Sequence, residues 1–400
     1  MPDAPFDIAV VGAGAAGLCA AIAFAREGYR TALVGRAEAR RDGRTVALLS
    51  GSVRFLQALD VWKAIADAAA PLATMRIVDD TGSLFRPPPV AFHAHEIGLD
   101  AFGWNVENAT LVERLAAAAR ASGRLTAISA QATGYQVEGH AARIALNEGG
   151  AVLAGLAIAA DGRNSRLRQS AAIPARTWSY PQSALTTVLE HDREHRDAST
   201  EFHTRHGPFT LVPLPGRRSS LVWVTNAATA EQLASLPDGD LALAVERQAQ
   251  SIVGRMRIDG PRGVVPLSGL SVERYWGPRL ALVGEAAHVF PPIGAQGLNL
   301  GLRDVAALRD AVVDSGDPGA ESALRPYQRG RDLDVRLRTA AVDGLNRTLL
   351  AELLPADFLR GAGLLAIGTI RPLRRAVMRE GVQPRVGAPR LMQEPPPRSS

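Results

Sequence analysis

The 400-residue chain has very few of the residues and segments that tie or anchor extracellular and membrane proteins. Its single cysteine, Cys19, cannot form an internal disulfide, so we expect a reducing compartment. No run reaches about 18 consecutive apolar residues, the length that a membrane-spanning helix needs. Met1–Asp7 has neither the basic nor the apolar region of a signal peptide. With 46% hydrophobic residues, the sequence predicts a cytoplasmic protein of two or three domains.

Several kinds of catalytic site are also missing from the sequence. The single cysteine excludes a CxxC pair and the eight histidines are spread along the chain, so we expect no bound metal. No GxSxG sequence marks a nucleophilic serine. The net charge of +5 comes mainly from arginine and could attract acidic lipid, nucleic acid or an anionic substrate. We favour the simpler interpretation, arginines on solvated faces, and expect no nucleic-acid partner.

A glycine-rich turn near the N-terminus predicts a dinucleotide site. The turn GAGAAG directly follows the apolar strand Phe6–Val11 and opens a helix, and a second strand at Thr31–Val34 completes a βαβ unit. Gly12 allows the tight turn, Gly14 lets the backbone approach a pyrophosphate, and Gly17 allows close helix–strand packing. The predicted cofactor-binding residues here are Gly12, Ala13, Gly14, Ala16 and Gly17.

The acid that usually binds the adenosine ribose is missing from this βαβ unit. The second strand ends at Gly35, followed by Arg36. In one interpretation Arg36 pairs with a 2′-phosphate and the site takes NADP. In the other the site takes FAD, and backbone groups, water or Arg36 replace the carboxylate. The turn alone leaves both interpretations open.

Two later segments carry further cofactor-facing residues. A strand ends at Asp161, which is either a cofactor ligand or part of an ordinary Asp-Gly turn. The strand Leu280–Val283 leads to Glu285, expected to reach a ribityl hydroxyl. The glycine-rich helix start that follows can offer backbone amides to a flavin pyrimidine edge. The residues expected there are Gly294, Gly297, Leu298 and Asn299.

Two residues between these motifs are candidates for the chemistry itself. His288 has the side chain of a general base, but its loop supplies no aspartate partner that would orient it. Pro292 belongs to the segment Pro291-Pro292-Ile293, which we expect to cover the flavin. Neither is assigned with certainty, because no triad, metal cluster or paired carboxylates accompany them.

Together the motifs resemble the class A flavoprotein monooxygenases, the para-hydroxybenzoate hydroxylase superfamily. GAGAAG, DGRNS and GEAAHVFPPIGAQGLNLGLRD occur in that family's order and spacing, over nearly the whole chain. GWNVEN at 103–108, YQRGRDLDVRLRTAAVDGLNRTL at 327–349 and PLRRAVMREG at 372–381 resemble the ubiquinone-biosynthesis hydroxylase subfamily. The resemblance places Arg44 near the FAD pyrophosphate and Asn108 near the adenosine. Glu285 stands where the family usually has aspartate.

The resemblance implies a reaction in which the cofactor carries the chemistry. NAD(P)H transiently reduces FAD, oxygen adds to form a flavin C4a-hydroperoxide, and one oxygen atom passes to the ring of a polyprenylated phenol in ubiquinone biosynthesis. Other ubiquinone-biosynthesis proteins are expected partners. Two rivals are a hydroxylase of small soluble aromatics and a non-oxygenating flavoprotein that binds a lipid or a partner.

The implied fold is α/β, with a discontinuous Rossmann-like FAD-binding domain and an inserted β-sheet substrate domain. The FAD-binding domain is expected to comprise residues 1–75, 100–175 and 268–355, and the substrate domain residues 76–99 and 176–267. Thr210, Val212, Trp223 and Val224 either position the substrate or form sheet core. A C-terminal helical region, 356–382, and a disordered tail, 383–400, complete the expected organisation.

The C-terminal region also gives an expectation about a membrane surface. Drawn as one helix, residues 359–379 place apolar and basic side chains on opposite sides, although Pro372 interrupts the pattern. The apolar set is Leu359, Ala366, Ile370, Leu373 and Val377, and the basic set is Arg360, Arg371, Arg374, Arg375 and Arg379. Such a helix either lies peripherally on the inner face of the cytoplasmic membrane or packs on the FAD-binding domain.

Overall fold

The computed structural model describes residues 6–82, 88–291, 296–332, 334–335, 370–382 and 388–394. The strands are β1 (Phe6–Val11), β2 (Thr31–Val34), β3 (Thr45–Leu49), β4 (Ala69–Pro71), β5 (Thr74–Asp79), β6 (Val90–His93), β7 (Gly103–Glu107), β8 (Leu125–Ile128), β9 (Ala132–Glu138), β10 (Ala141–Leu146), β11 (Ala151–Ala159), β12 (Ala175–His191), β13 (Ala198–Thr204), β14 (Gly207–Leu214), β15 (Arg218–Asn226), β16 (Met256–Ile258), β17 (Gly263–Val272), β18 (Trp276–Gly277), β19 (Leu280–Leu282) and β20 (His288–Val289). The helices are α1 (Ala15–Arg26), α2 (Ser50–Ala58), α3 (Lys63–Ala66), α4 (Asn108–Ala121), α5 (Arg166–Ser170), α6 (Ala227–Ser235), α7 (Asp238–Gln248), α8 (Gln296–Val312), a helical stretch over 321–332 and a C-terminal helix, Arg371–Val382.

The first sheet has the order β18-β19-β11-β1-β2-β8, in which the strands from β19 to β8 are parallel and β18 is antiparallel to β19. Strand β10 pairs antiparallel with β11, and β9 pairs antiparallel with β10. β1, β2 and β19 are short apolar strands that are buried for most or all of their length, as parallel strands covered on both faces are. Helix α1 is buried continuously from Leu18 to Ala25 and packs against α4 and α8. The predicted βαβ unit is confirmed, since β1 and β2 pair in parallel on either side of α1.

The second sheet has the order β20-β17-β12-β15-β14-β13-β5-β6, with β16 on β12. One of its faces packs under α6 and α7, where the core contains Leu185, Phe202 and Phe209. Trp223 also packs on this side, edge-on to Phe209 at 5.1 Å between ring centroids. The two helices lie inside a region that we expected to be rich in strands. Helix α6 begins where the Asn226 side chain accepts a hydrogen bond from Thr229 N, a cap that strand alternation does not reveal.

A three-stranded sheet, β3-β7-β4, lies between the two larger sheets. Its Thr45 hydroxyl is 2.8 Å from the hydroxyl of Ser220 on β15. The buried Asn105 amide donates to the Pro213 carbonyl at 2.9 Å. These bonds hold one face of the second sheet against the three-stranded sheet.

The C-terminal helix packs on the edge of the second sheet. Met378 and Val382 are buried with Phe92 and its neighbours on β6. Arg374 pairs with Glu96 at 2.6 Å, and its guanidinium lies 4.6 Å from the centre of the Phe92 ring. This aromatic and ionic contact fixes which side of the helix faces the protein.

The expected division of residues 359–379 into an apolar and a basic side is therefore wrong in the part that the structure describes. Arg374 points to Glu96 instead of solvent, while Ile370 and Val377 are 50% and 43% exposed. Pro372 lies at the second position of the helix, where a proline is tolerated because the first turn has no intrahelical N–H bonds. Residues 359–369 of the drawing lie outside the described residues.

The expectation of a disordered tail is wrong for residues 388–394. Met392 is buried and packs near α2 and α8, although the composition around it is rich in proline. Arg390 adds an ion pair to Asp314 at 2.7 Å, and Arg54 pairs with Glu394 at 3.0 Å. Apolar packing and ion pairs thus hold this short segment. The other residues of the predicted tail lie outside the described residues.

The Glu96–Arg374 pair predicts a pH-dependent stability. Arg374 donates hydrogen bonds to Glu96 and holds the pKa of that carboxyl at about 2. A carboxyl with a lowered folded-state pKa stabilises the protein above its ordinary pKa of 4.5, and this contribution is lost as the pH falls toward 2. Glu96→Gln should cost about 1.5–3 kcal/mol of unfolding free energy at pH 7.

Denaturant unfolding at a series of pH values checks this. The difference between wild type and Glu96→Gln should be constant from pH 6 to 8 and should shrink below about pH 4.5. Arg375→Gln, at an exposed position of the same helix, should change stability by less than about 0.5 kcal/mol. A difference that does not change with pH would contradict the ionic role of Glu96.

Candidate active site

Three loops meet at the carboxyl ends of the parallel strands β1, β11 and β19. The register pairs Val11 with Ala159 and Ala159 with Leu282, so the three strands end side by side. Backbone bonds of 2.8 Å from Ala160 N to Val11 O and 2.9 Å from Val283 N to Ala159 O continue this pairing into the loops. We call this side of the sheet the cofactor edge. It brings together the Gly12–Gly17, Asp161 and Glu285 motifs.

The glycines of the first loop have different physical roles. Gly12 has φ +110°, and a Cβ there would overlap the Ala160 carbonyl. A Cβ on Gly17 would overlap the carbonyl oxygen of Gly12, so both positions require glycine for packing. Gly14 is exposed, and a Cβ there would meet nothing within 4 Å. Gly14 is also the N-cap of α1 without a side-chain cap, which leaves that helix end open to an anion.

Small residues bring the first loop against the last one. The Ala16 side chain lies 3.5 Å from the position that a Gly284 Cβ would occupy and 3.7 Å from that of Gly301. Helix α1, the turn after β19 and helix α8 therefore meet closely. The two glycine-rich motifs, far apart in sequence, form one continuous surface.

The end of β2 explains the missing acid. Gly35 has φ +135°, and a Cβ there would lie 3.3 Å from Ala13 N. A side chain at this position would strain the backbone, so glutamate or aspartate is disfavoured by conformation. Arg36 is exposed beside it.

Asp161 is both a helix cap and an incompletely paired carboxylate. Its Oδ2 accepts from Arg166 N at 2.8 Å and Leu167 N at 3.3 Å, at the start of α5. Its Oδ1 is buried and has no hydrogen-bond partner within the described part of the chain. Burial raises the pKa of this carboxyl, against the hydrogen bonds that lower it. A buried unpaired oxygen costs free energy and is satisfied when a ligand donates to it.

Arg44, Asn108 and Glu285 lie around the same opening. Asn108 N donates to the Arg44 carbonyl at 3.0 Å, which fixes the start of α4 against the residue before β3. The hydrogen bond to Asp42 is the largest cause of the raised pKa of Arg44, and the negative charge of Glu285 raises this pKa further. Glu285 itself is exposed, directly after β19. Arg44 and Glu285 are therefore near enough to interact electrostatically.

The first turn of α8 contains three of the predicted cofactor residues. Gly297 and Leu298 lie in this turn, where backbone N–H groups have no intrahelical acceptor. The Asn299 side chain is used inside the protein, because its amide donates to Ala47 O at 2.8 Å and its oxygen accepts from Leu49 N at 2.9 Å. Pro292 and Gly294 lie outside the described residues.

The expectation that His288 lacks an aspartate partner is wrong. His288 Nε2 lies 2.6 Å from Asp304 Oδ2, and both side chains are fully buried. Burial opposes ionisation of Asp304, but the charges of His288 and Arg331 outweigh it and lower the pKa. Asp304 also accepts from Gly284 N at 2.9 Å. Asp304 thus ties His288, the turn after β19 and helix α8 together.

Sequence reasoning missed this buried network. Arg331 donates to Asp304 at 2.7 Å and pairs with Asp334 at 2.5 Å, so the helical stretch 321–332 is joined to α8. Arg168 is likewise buried and donates to Ala286 O and Arg163 O, each at 2.8 Å, which links two loops of the cofactor edge. An aspartate in the middle of an otherwise apolar helix face, as at Asp304, was the available signal.

One face of the second sheet turns an apolar surface toward these loops. Successive side chains of a strand alternate, so Ser220, Val222 and Val224 share the face that Ser220 presents to Thr45. Arg163, beside Asp161, donates to Ser268 on β17 at 2.9 Å and holds the other end of this surface. The apolar wall consists of Tyr180, Ala184, Val222, Val224 and Leu267. Of the predicted positioners, Val224 lies in this wall, whereas Trp223 faces α7.

Comparison with known proteins identifies the family. Residues 5–335 match the family described as FAD binding domain. The chain is 33% identical over 412 residues to the ubiquinone hydroxylase UbiL of Rhodospirillum rubrum, covering 98% of this chain and 92% of that protein. The chain is a member of the FAD-dependent aromatic hydroxylases of the ubiquinone-biosynthesis group. It is also 30% identical to the 3-demethoxyubiquinol 3-hydroxylase of Escherichia coli, over 95% of this chain and 99% of that one.

Solved structures agree with this hydroxylase fold. The p-nitrophenol 4-monooxygenase PnpA of Pseudomonas putida superposes with a TM-score of 0.75 at 16% identity, over 93% of this chain and 96% of that one. P. aeruginosa PqsL in complex with 2-aminobenzoylacetate gives a TM-score of 0.74 at 21% identity, over 90% and 99%. The cofactor of this hydroxylase is FAD, which decides between the two interpretations of the Gly35 position.

Two features of the described residues bear on other functions. No group of three or more histidine, cysteine, aspartate or glutamate side chains within them could hold a metal ion. None of their helices is both long enough and apolar enough to cross a bilayer.

The open space at Gly14 predicts a variant that separates folding from FAD binding. Gly14→Val should lower the stability of the FAD-free protein by no more than about 1 kcal/mol, because the side chain enters empty space and only the N-cap preference of α1 is lost. It should weaken FAD binding by about 100-fold or more, because the backbone can no longer approach the pyrophosphate. Thermal unfolding of the FAD-free protein and FAD titration by fluorescence measure the two effects.

Two further glycines serve as controls. Gly123→Val, also in open space but in the α4–β8 connection, should change neither quantity. Gly17→Ala should lower the stability of the FAD-free protein itself, since its Cβ overlaps Gly12. Wild-type FAD affinity in Gly14→Val would contradict the assignment of this loop to the pyrophosphate.

Proposed function

We propose that this chain hydroxylates the aromatic ring of a polyprenylated phenol in ubiquinone biosynthesis, with FAD held at the cofactor edge. The observation that carries the proposal is the apolar wall, which faces the loops at the ends of β1, β11 and β19. A prenylated ring buries its apolar surface on such a wall, whereas a small charged aromatic gains little there. The relatives named as ubiquinone hydroxylases support the same substrate class.

The residues at the cofactor edge fit FAD, which binds across several loops. We assign the pyrophosphate to the open N-terminus of α1 at Gly14 and to Arg44. Asp161 would accept a hydrogen bond on its unpaired Oδ1, and the exposed Glu285 would accept from a ribityl hydroxyl. The adenosine side would lie toward Asn108 and Arg36. The first turn of α8, at Gly297 and Leu298, would face the pyrimidine edge of the flavin.

Bound FAD, reduced by NAD(P)H as is typical of the family, supplies the oxygen-activating chemistry. The side chains of this chain position the ring and exclude water. The partly exposed Val222 presents apolar surface to the ring and packs with the fully buried Val224, while Ser220 and Thr45 close the space between the sheets. His288 is buried against Asp304, so we assign it the positioning of the turn at Gly284 and not proton transfer to substrate.

Product analysis tests the proposal. FAD-loaded protein, given NADH or NADPH and a short-chain prenylated phenol, should consume reductant and oxygen only when the phenol is present. Mass spectrometry should find the phenol with one added oxygen atom. His288→Asn, which keeps a polar group beside Asp304, should retain this coupled hydroxylation within about 100-fold, the lower end of general acid–base effects.

Two results would contradict the proposal. Hydroxylation of small soluble aromatics in preference to the prenylated phenol would favour the first rival function. Binding of the prenylated phenol without substrate-dependent reductant consumption would favour a non-oxygenating flavoprotein.

Loss of all turnover in His288→Asn, with FAD bound and reducible, would assign His288 to catalysis.

We further propose that the exposed side of the C-terminal helix lies on an anionic membrane surface, where a prenylated substrate resides. Arg371, Arg375 and Arg379 are exposed on this helix, and Ile370 and Val377 are exposed apolar side chains of the same segment. Each arginine near an anionic surface contributes roughly 1 kcal/mol. The packed side, with Arg374 and Met378, keeps the helix attached to the protein.

Liposome flotation tests this surface. Wild type should float with vesicles that contain anionic lipid and should not float with neutral vesicles. Replacing Arg371, Arg375 and Arg379 together by glutamate should release the protein without loss of FAD. Arg120→Glu, at an exposed position of α4, is the control and should float like wild type. Equal flotation of the triple variant and wild type, or flotation of neither, would contradict the proposal.

A further inference from the structure

A carboxylate and an imidazole lie on the same face of the second sheet as the apolar wall. The register pairs Glu201 on β13 with Thr210 on β14, and Thr210 with Val222 on β15. Side chains paired directly across neighbouring strands share one face, so Glu201 and Thr210 lie in a row with Val222. Phe202, between Glu201 and His203, belongs to the opposite face under α7. Glu201 and His203 therefore face the cofactor edge side of the sheet.

Hydrogen bonds hold the Glu201 carboxylate on one side, and the Glu201 side chain is partly exposed on the other. His203 Nε2 lies 2.7 Å from Glu201 Oε1, and the Thr210 hydroxyl lies 3.4 Å from Glu201 Oε2. The His203 side chain is only 7% exposed, whereas that of Glu201 is 24% exposed. Within the described residues, neither lysine nor arginine pairs with Glu201, and His203 Nδ1 is buried without a partner. Glu201 thus keeps an accessible oxygen whose orientation His203 fixes.

The position of Glu201 relative to the rest of the site follows from the strands. Ser220, which contacts Thr45, is two residues from Val222 on β15, a distance of about 7 Å along a strand. Glu201 lies in the Val222 row, two strands away, or roughly 10 Å across the sheet. On the other side of Glu201, its register partner Ile77 packs with Phe92 and Met378, where the C-terminal helix covers the sheet. Glu201 therefore lies at the margin of the apolar wall, and Asp79 on β5, the register partner of His203, lies beyond it on the same face.

We propose that Glu201, positioned by His203, accepts a hydrogen bond from a ring hydroxyl of the substrate and excludes rings that carry a carboxylate. This inference rests on the proposed ring hydroxylation and adds the feature by which the site selects its ring. A hydroxyl bonded to a carboxylate makes one of the stronger hydrogen bonds in proteins. A carboxylate para to that hydroxyl lies at the far side of the ring, where the charge of Glu201 still repels it across a partly buried site and so discriminates against it. The selected ligands are neutral phenols, after any ring carboxyl has been removed.

Equilibrium binding to the FAD-loaded protein tests this with two ligands that differ in one group. The ligands are 2-prenylphenol and 4-hydroxy-3-prenylbenzoate. Binding of each ligand is measured by the change that it causes in the flavin absorption spectrum. Wild type should bind the phenol at least about 30-fold more tightly than the benzoate. Glu201→Gln should bind the benzoate about tenfold more tightly than wild type does, and the phenol more weakly. The preference of Glu201→Gln for the phenol over the benzoate should therefore fall below about fivefold.

A gain in benzoate affinity cannot come from a damaged pocket, so it separates recognition from a structural role. Glu190→Gln is the matched control, because it removes a half-exposed carboxylate from β12 of the same sheet that pairs with Arg257 at the surface. It should keep the wild-type preference. His203→Phe should lower the preference while the FAD content is unchanged, since Glu201 loses its positioning partner.

The outcomes distinguish this inference from the proposed function. An unchanged preference in Glu201→Gln, or equal weakening of both ligands, would overturn the role of Glu201 while hydroxylation of the phenol by wild type still stands. Wild-type protein that binds neither ring would overturn both.

Discussion

Parallel pairing of β1, β11 and β19 is the constraint on which the rest of the structure depends. Each of these strands ends at the same side of the sheet, and each is followed by a loop with a cofactor-facing group. Because the loops are so close, glycine is required where they touch, as at Gly12 against Ala160. The same crowding places Ala16 against Gly284, so that the N-terminal fingerprint and the last glycine-rich motif become one surface.

Buried charges hold these loops in place. Asp304 accepts hydrogen bonds from Gly284 N, His288 and Arg331, three groups from different elements. A buried carboxylate is costly unless it is fully paired, and removing one partner leaves an uncompensated charge worth about 3–5 kcal/mol. The network therefore restricts the turn after β19 to one arrangement. Glu285 is placed at the cofactor edge by this turn.

The second sheet contributes the other half of the site through a small number of polar contacts. Thr45 with Ser220 and Arg163 with Ser268 join it to the cofactor-binding part at two separate points. Between these points the face is apolar, and Glu201 lies at its margin. Since FAD carries the chemistry, this face has to supply only position, dryness and selectivity. That division explains why no catalytic triad or metal cluster was visible in the sequence.

The sequence predicted the features that depend on local spacing. The turn at Gly12–Gly17, the strand ends at Asp161 and Glu285 and the apolar strands were all found in this way. Features that depend on which distant residues meet were missed. His288 contacts Asp304 only because a short turn and β20 bring the two side chains together. Helical periodicity alone does not predict that Arg374 faces Glu96. The proline-rich composition of the tail gave no indication that Met392 is buried. The reason why glycine occupies position 35 is its φ of +135°, which the sequence does not show.

Hydrogen–deuterium exchange with and without FAD tests the central claim, that three loops at one sheet edge hold a single cofactor. FAD should slow exchange together in residues 12–17, 161–168 and 284–299, with one equivalent of FAD giving full protection. Little change is expected at α6 and α7, on the far face of the second sheet. Protection confined to residues 12–17, or stepwise protection that needs a second equivalent, would contradict the account.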